Sequence, residues 1–306
     1  MSLILGIDTS NYTTSASLIR SGEIIANVKI PVGVAEGGVG VRQSDAVFSH
    51  VKNLSSAIEK ALGAAEGRID AIGVSTRPRS VEGSYMPCFL AGATVARSIA
   101  AAMDIPLYEV SHQDGHVAAA LYSCRRLDLW GERFIAFHVS GGTTEMLLCD
   151  NFSIEKIGGT VDLTAGQVID RTGVMMGLSF PCGPHIEKLA YGIDVPKVKV
   201  CVNGLECNLS GLQNKTKELF EKTSSKEETS AFLIEFIRAT LDKLTENALT
   251  QYGDLPVVFA GGVMSNSIIR ESLSKKYGAY FADPAYSADN ACGVAVLAEM
   301  EYKKRV

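Results

Sequence analysis

The chain has 306 residues, with 29 basic against 34 acidic side chains and a formal charge of −5. At roughly 150 residues per domain this length favours two domains. The usage of 46% hydrophobic and 21% charged residues excludes a disordered chain or a coiled coil. The acidic balance argues against a protein that coats nucleic acid unaided, because such binding rests on neutralising phosphates. It leaves room for a local basic patch or for help from a partner.

In chain order, residues 3–7 form an apolar strand that runs into Asp8-Thr9-Ser10 and a polar turn. A second strand covers residues 15–19, Ser21-Gly22 turns the chain, and a third strand covers 23–30. Helical spacing follows at 49–62, a short buried strand at 69–75 and an Ala-rich helix at 90–103. About 130 residues after the first opening the pattern returns. Residues 134–139 are apolar, Ser140-Gly141-Gly142-Thr143-Thr144 turns, 145–149 is a strand, and 152–157 is another. Two openings of this kind predict two copies of one βββ-plus-helix unit. Helices are expected at 163–178, 186–191, 230–252, 266–277 and 290–299, with a buried strand at 255–260. The Lys-rich stretch 215–228 reads as a surface helix and loop, either a solvated face or a contact for RNA or a partner.

Residues 1–7 carry no basic run, and the longest apolar candidate for a membrane helix, 83–103, is broken by Pro87 and Arg97. Seven scattered cysteines without a CxxC pair fit buried, reduced thiols, and the expected location is the cytoplasm.

The sharpest feature is Ser111-His112-Gln113-Asp114-Gly115-His116. On a helix His112 and His116, at i and i+4, project from one face, the spacing of a two-histidine metal site. A pair of surface or core histidines has the same spacing. A zinc protease would need Glu directly after the first histidine, and Gln113 stands there. Asp289 is a candidate third ligand or an ordinary helix cap. Ser140–Thr144 and Gly261–Asn266 each follow an apolar strand, where backbone amides exposed by glycine can cradle phosphate or ribose oxygens. Neither matches a dinucleotide or Walker fingerprint. Asp170 reads as a ribose contact or as a salt-bridge partner of Arg171 or a lysine. Phe180-Pro181-Cys182-Gly183-Pro184 adds a rigid turn.

These blocks, in this order and with Leu209-Ser210-Gly211-Leu212 and Ala288-Asp289-Asn290 among them, resemble the TsaD-type tRNA threonylcarbamoyladenosine synthases along essentially the whole chain. The resemblance implies an α/β chain of the actin-like ATPase (ASKHA) fold, two RNase H-like lobes around a central cleft. The lobes would be residues 1–126 and 127–284, with a C-terminal segment 285–306 returning to lobe I. It implies a metal, iron or zinc, on His112, His116 and Asp289. Nucleotide contacts are implied at His138, Val139, Ser140, Gly141, Gly142, Asp170, Gly183, Glu187 and Asn266. The cofactors would be one divalent metal ion and an adenine nucleotide, either threonylcarbamoyl-adenylate or ATP/AMP. The implied activity moves the threonylcarbamoyl group from its adenylate to the exocyclic amine of the adenosine beside the tRNA anticodon. Asp8 is a candidate catalytic residue that orients water or substrate. The partners implied are tRNA, a silent paralogous subunit, an ATPase subunit and a homodimer or heterodimer mate, with no membrane.

Departures from the family pattern cluster at the implied site. Asp8–Thr14 lacks the family's acidic pair, Asp114 replaces Glu, and Gln213-Asn214 replaces Lys-Thr. Arg77-Pro78-Arg79 stands where a Gly-Pro-Gly loop is usual. They mark a divergent paralogue. Other readings from the same residues are a non-catalytic scaffold subunit, a kinase or phosphatase on this fold, and carbamoyl transfer to another acceptor.

Overall fold

The computed structural model describes residues 2–10, 12–33, 41–287 and 291–305. The first unit in chain order contains β1 (Leu3–Asp8), β2 (Thr13–Arg20), β3 (Glu23–Pro31), α1 (Gln43–Leu62), β4 (Ala71–Arg77), α2 (Phe89–Met103), β5 (Leu107–Ser111) and α3 (His112–Ser123). The second contains β6 (Phe134–Val139), β7 (Thr144–Asp150), β8 (Ser153–Thr160), α4 (Ala165–Met175), α5 (Gly183–Ala190), β9 (Val202–Asn203), β10 (Glu206–Cys207), α6 (Ser210–Thr223), α7 (Lys226–Tyr252), β11 (Val257–Ala260), α8 (Ser267–Tyr277) and β12 (Tyr280–Phe281). The last helix, α9 (Cys292–Lys303), returns to the first unit, which comprises Met1–Leu127 with Tyr286–Val306; the second is Asp128–Ala285.

In the first unit the strand order is β3-β2-β1-β4-β5, with β1, β2 and β3 antiparallel neighbours and β4 and β5 parallel to β1. All six residues of β1 are buried, as a central strand covered on both faces requires. Alternation along the strand divides the core. Leu5 and Ile7 pack with Leu54 and Ala57 of α1 and Ala96 and Ala100 of α2. Ile4 packs with Ala295 and Ala298 of α9. Successive side chains of a strand point to opposite faces, so α1 and α2 cover one face and α9 the other.

The second unit has the order β12-β11-β6-β7-β8-β10-β9. Its portion β8-β7-β6-β11-β12 repeats β3-β2-β1-β4-β5 in order and in strand direction. The internal echo of the sequence is thus a repeat of topology. Phe259 stacks between Phe137, at 4.7 Å between centroids, and Phe281, at 5.0 Å, tying β6, β11 and β12 into one apolar layer. The buried stripe Leu233, Phe236, Ile237, Leu241 and Leu244 of α7 packs in the same core.

Some expectations need correction. β5 was not anticipated, because Glu109 interrupts its short apolar run, yet it carries the buried Tyr108 and launches α3. Helix α1 begins at Gln43, six residues ahead of the apolar periodicity. Of the seven reduced cysteines, Cys201 is exposed and Cys124 half-buried, and only the other five are buried. The Lys-rich stretch 215–228 is, as expected, a surface helix and a turn: it covers the end of α6, which exposes Lys215, Lys217 and Lys222, and the passage through Ser224-Ser225 into α7.

Candidate functional site

The first unit gathers its ionisable side chains at the C-terminal ends of parallel strands. Helix α3 starts without a linker after β5 because Ser111 caps it. The Ser111 hydroxyl accepts the Asp114 N–H at 3.1 Å, and Asp114 Oδ2 accepts the Ser111 N–H at 3.1 Å. This reciprocal cap satisfies amides that have no partner within the helix. It makes His112 the first helical residue, so His116 stands one turn later on the same side. Their rings are 4.3 Å apart between centroids in an edge-on arrangement, both half-buried.

Asp8, at the end of β1, explains how His112 is aimed. Its Oδ2 lies 2.8 Å from His112 Nδ1, and its Oδ1 accepts the Ser10 N–H at 2.8 Å. Burial pushes the Asp8 carboxyl up, but the His112 charge and the hydrogen bonds from His112 and Ser10 together hold it below the ordinary carboxylate value. With Nδ1–H directed to a carboxylate, the neutral form of the ring has Nε2 as its acceptor nitrogen, the atom a metal takes. A ligating histidine is commonly held this way, so the donor set His112 and His116 with Asp8 behind it fits a divalent cation. Asp8, expected as a group that orients water or substrate, here stands behind His112. It is 0% exposed and both of its oxygens are engaged. Asp289 lies outside the described residues, and among the described residues no group of three metal-ligating side chains occurs.

Sequence reasoning passed over His50. It is wholly buried on α1, with Nδ1 2.9 Å from Thr14 Oγ1. Burial lowers its pKa, opposed by the charge of Asp8. A lone histidine on an amphipathic helix gave no signal of this.

The second unit builds with backbone instead. Ser140, Gly141, Gly142 and Thr143 turn between β6 and β7, closed by the Ser140 N–H donating to Thr143 O at 2.7 Å. Helix α4 begins against this turn. Thr164 caps it reciprocally with Gln167, and the Thr164 hydroxyl donates to Gly141 O at 2.8 Å. A Cβ on Gly166 would stand 2.6 Å from Gly141 Cα, so only glycine lets the helix approach the turn. Gly261 has φ +103° and would place a Cβ 2.2 Å from Val139 O. By contrast, a Cβ at Gly141, Gly142, Gly183 or Gly262 would meet nothing within 4 Å. Open space over exposed glycine backbone suits a phosphate or ribose, and this chemistry fits an adenine nucleotide. Val139, at the end of β6, is buried. His138 is half-buried on β6, in register with Glu145 and Ala260.

The remaining nucleotide candidates are engaged with helix ends. Asn266 caps α8 by accepting the Ile269 N–H at 3.1 Å, and Glu187 Oε1 accepts the Ser267 N–H at 2.8 Å. Asp170 Oδ1 accepts the Cys182 N–H at 3.0 Å, while Arg171 donates to Gln213 Oε1 at 3.2 Å, so the Asp170–Arg171 pairing is not formed. Glu187 and Asn266 thus meet at the start of α8, and Asp170 holds the turn ahead of Gly183. Asp162 escaped notice altogether. Its carboxylate accepts the N–H groups of Leu163 at 2.6 Å, Leu209 at 2.8 Å and Ser210 at 3.1 Å, and the Ser210 hydroxyl at 2.6 Å. Burial pushes its pKa up, but these bonds outweigh it and hold the carboxyl far below the ordinary value. An Asp two residues before a Thr-x-x-Gln box was the available signal, but the start of α6 lies 48 residues away.

This fold and site define an actin-like ATPase (ASKHA) architecture. The chain aligns over 97% of its length with the structure titled full-length HypF in the phosphate- and nucleotide-bound form, at TM-score 0.63, 15% identity and 46% of that chain. It aligns over 99% with component A of (R)-2-hydroxyglutaryl-CoA dehydratase from Acidaminococcus fermentans, at TM-score 0.58, 15% identity and 100% of that chain. It also matches a ROK hexokinase from Thermus thermophilus, at TM-score 0.54, 17% identity and 99% of each chain. A sequence model of the family TsaD, tRNA N6-adenosine threonylcarbamoyltransferase, matches residues 23–296. Proteins of that name from Syntrophomonas wolfei and Christiangramia forsetii are 30% and 31% identical, over 99% of this chain and 94% of theirs. The chain belongs to the tRNA N6-adenosine threonylcarbamoyltransferase family. No helix among the described residues is long and apolar enough to cross a membrane.

Proposed function

We propose that this chain is an acyltransferase that moves a threonylcarbamoyl group from threonylcarbamoyl-adenylate to the exocyclic amine of the adenosine next to a tRNA anticodon. A C–N bond forms at the carbamoyl carbon, the bond from that carbon to the adenylate oxygen breaks, and AMP leaves. Family membership supports the reaction class. The observation in the fold that carries the reading is His112 held at 2.8 Å by a buried carboxylate, with His116 beside it.

In this reading His112 and His116 hold a divalent cation, iron or zinc, with Asp289 as third ligand. When bound, the cation would supply Lewis-acid chemistry. Asp8 is a positioning residue that fixes the tautomer and direction of His112. The Ser140–Gly142 turn, Gly183 and the start of α8 hold the adenosine half through backbone amides and through Glu187 and Asn266. Asp170 keeps Gly183 in place. Restraining the donor in this way turns an encounter of two bodies into a fixed geometry. The overall charge of −5 is accommodated if tRNA is shared with a silent paralogous subunit and an ATPase subunit in the cytoplasm.

The test is incubation of the protein and its partner subunits with threonylcarbamoyl-adenylate and unmodified tRNA, followed by nucleoside analysis. Threonylcarbamoyladenosine is expected. Its absence alongside an active reference synthase removes the reading.

A further inference from the structure

Arg77 is a charged residue of the first unit that the reaction outlined above leaves without a task. It ends β4, the strand between β1 and β5. These three strands run parallel, so their C-terminal ends lie at one edge of the sheet, where ligands bind open α/β sheets. Arg77 therefore stands between the strand end that carries Asp8 and the one that leads through Ser111 into His112. It pairs with Ser111 after a register irregularity beyond Ser75, a local feature that re-aims side chains.

Arg77 is half-buried as a residue, its Nη2 contact lies at the exposed side, and its contacts are poor. Nη1 reaches its neighbour Thr76 Oγ1 at 3.3 Å and Nη2 reaches Ser80 Oγ at 3.4 Å, both neutral hydroxyls. Among the described residues no carboxylate lies within ion-pairing distance of it. The nearest acidic group in the network is one hydroxyl removed: Ser80 Oγ donates to Asp114 Oδ2 at 2.7 Å, and Asp114 is already committed to the α3 cap. The loop that follows is braced, with the Gln113 N–H donating to Pro78 O at 3.0 Å and the Arg79 N–H to Ser84 Oγ at 3.0 Å. A guanidinium presents a planar fork of donors that matches an oxyanion. With only two long contacts to neutral hydroxyls, the fork keeps donors to spare for an anion.

We infer that Arg77 binds an oxyanion of the donor substrate on the first unit, beside the two-histidine face. The shared chemistry is a carboxylate or phosphate group accepting from the guanidinium fork. The inference rests on the transferase reading for the identity of the donor, but the anion contact itself does not.

Calorimetric titration of wild-type protein, R77A, R77K and the surface control R97A with threonylcarbamoyl-adenylate, AMP, N-carbamoylthreonine and inorganic phosphate tests it. Charge-assisted hydrogen bonds of this kind predict a loss of about tenfold or more for R77A on threonylcarbamoyl-adenylate, partial recovery in R77K and none lost in R97A. A parallel loss on N-carbamoylthreonine identifies the carboxylate, and a parallel loss on AMP and phosphate identifies the phosphate. Equal affinities of R77A and wild type for every probe overturn the inference. Should wild type not bind threonylcarbamoyl-adenylate, the transferase reading falls. Arg77 is then judged on AMP, N-carbamoylthreonine and phosphate, where the same loss upholds it, and equal or absent binding overturns it. If R77A does not fold, R77Q, which keeps the stem of the side chain, replaces it.

Discussion

The first unit ends the strands β1, β4 and β5 in side chains that carry charge or can take it: Asp8, Arg77 and, through Ser111, His112. The second unit repeats that strand order, yet the corresponding ends of β6 and β11 run into Ser140-Gly141-Gly142 and Gly261-Gly262. One topology thus supports two kinds of chemistry. In the first unit the strand ends carry imidazole, carboxylate and guanidinium groups, of which Asp8 and His112 are fixed by a shared hydrogen bond. In the second they run into glycine backbone that helix caps hold open. The shared sheet decides where strand ends lie, and a few residues past each end decide what they do.

This contrast predicts that removing side chains and adding them have opposite consequences in the two units. The largest effect expected is in the first. His116→Ala abolishes metal retention, measured by elemental analysis of purified protein, while the fold and AMP affinity stay intact; unfolding instead would make His116 a packing residue. Asp8→Asn is a graded version that weakens metal affinity about 10–100-fold by releasing His112.

In the second unit the sensitive change is an added methyl. Gly166→Ala forces α4 off the Ser140–Gly142 turn and costs about 1–3 kcal/mol in urea unfolding, as overpacking does. It also weakens AMP binding with metal content unchanged. Gly142→Ala, which meets nothing within 4 Å, leaves stability alone. Equal unfolding midpoints for the two variants would break the contrast.

The smallest effect concerns acid. The Asp162 carboxyl is depressed in the folded state by the bonds it accepts. Its stabilisation is therefore present above the ordinary carboxylate value of about 3.9 and is lost as pH falls from there toward the lower folded value. Asp162→Asn lowers stability at neutral pH and flattens the acid limb below about pH 4, seen in unfolding midpoints across pH. Identical acid limbs would show that Asp162 contributes nothing to docking α6.

Both βββ openings, the apolar strands and the long helices were legible because their burial imposes period-2 or period-3.6 patterns on adjacent residues. The His112/His116 face was legible because i and i+4 geometry is local. β5 was not, since five residues with a central Glu carry too little pattern, and Asp162 was not, since its partners at Leu209 and Ser210 lie far along the chain. Asp8 was noticed, but not its partner. The sequence offered Asp8 as a group that orients water or substrate, and its contact with His112, 104 residues away, was out of reach of local pattern.

By itself the sequence determined most of the elements, the echo of one half in the other and the family, because each of these is written in runs of neighbouring residues. The tertiary structure decided which polar groups meet. It put Asp8 under His112, Glu187 at the start of α8 and Arg77 at a strand end with only neutral hydroxyls for company. Such pairings depend on distance across the folded chain, and side chains buried together pay no heed to their spacing along it.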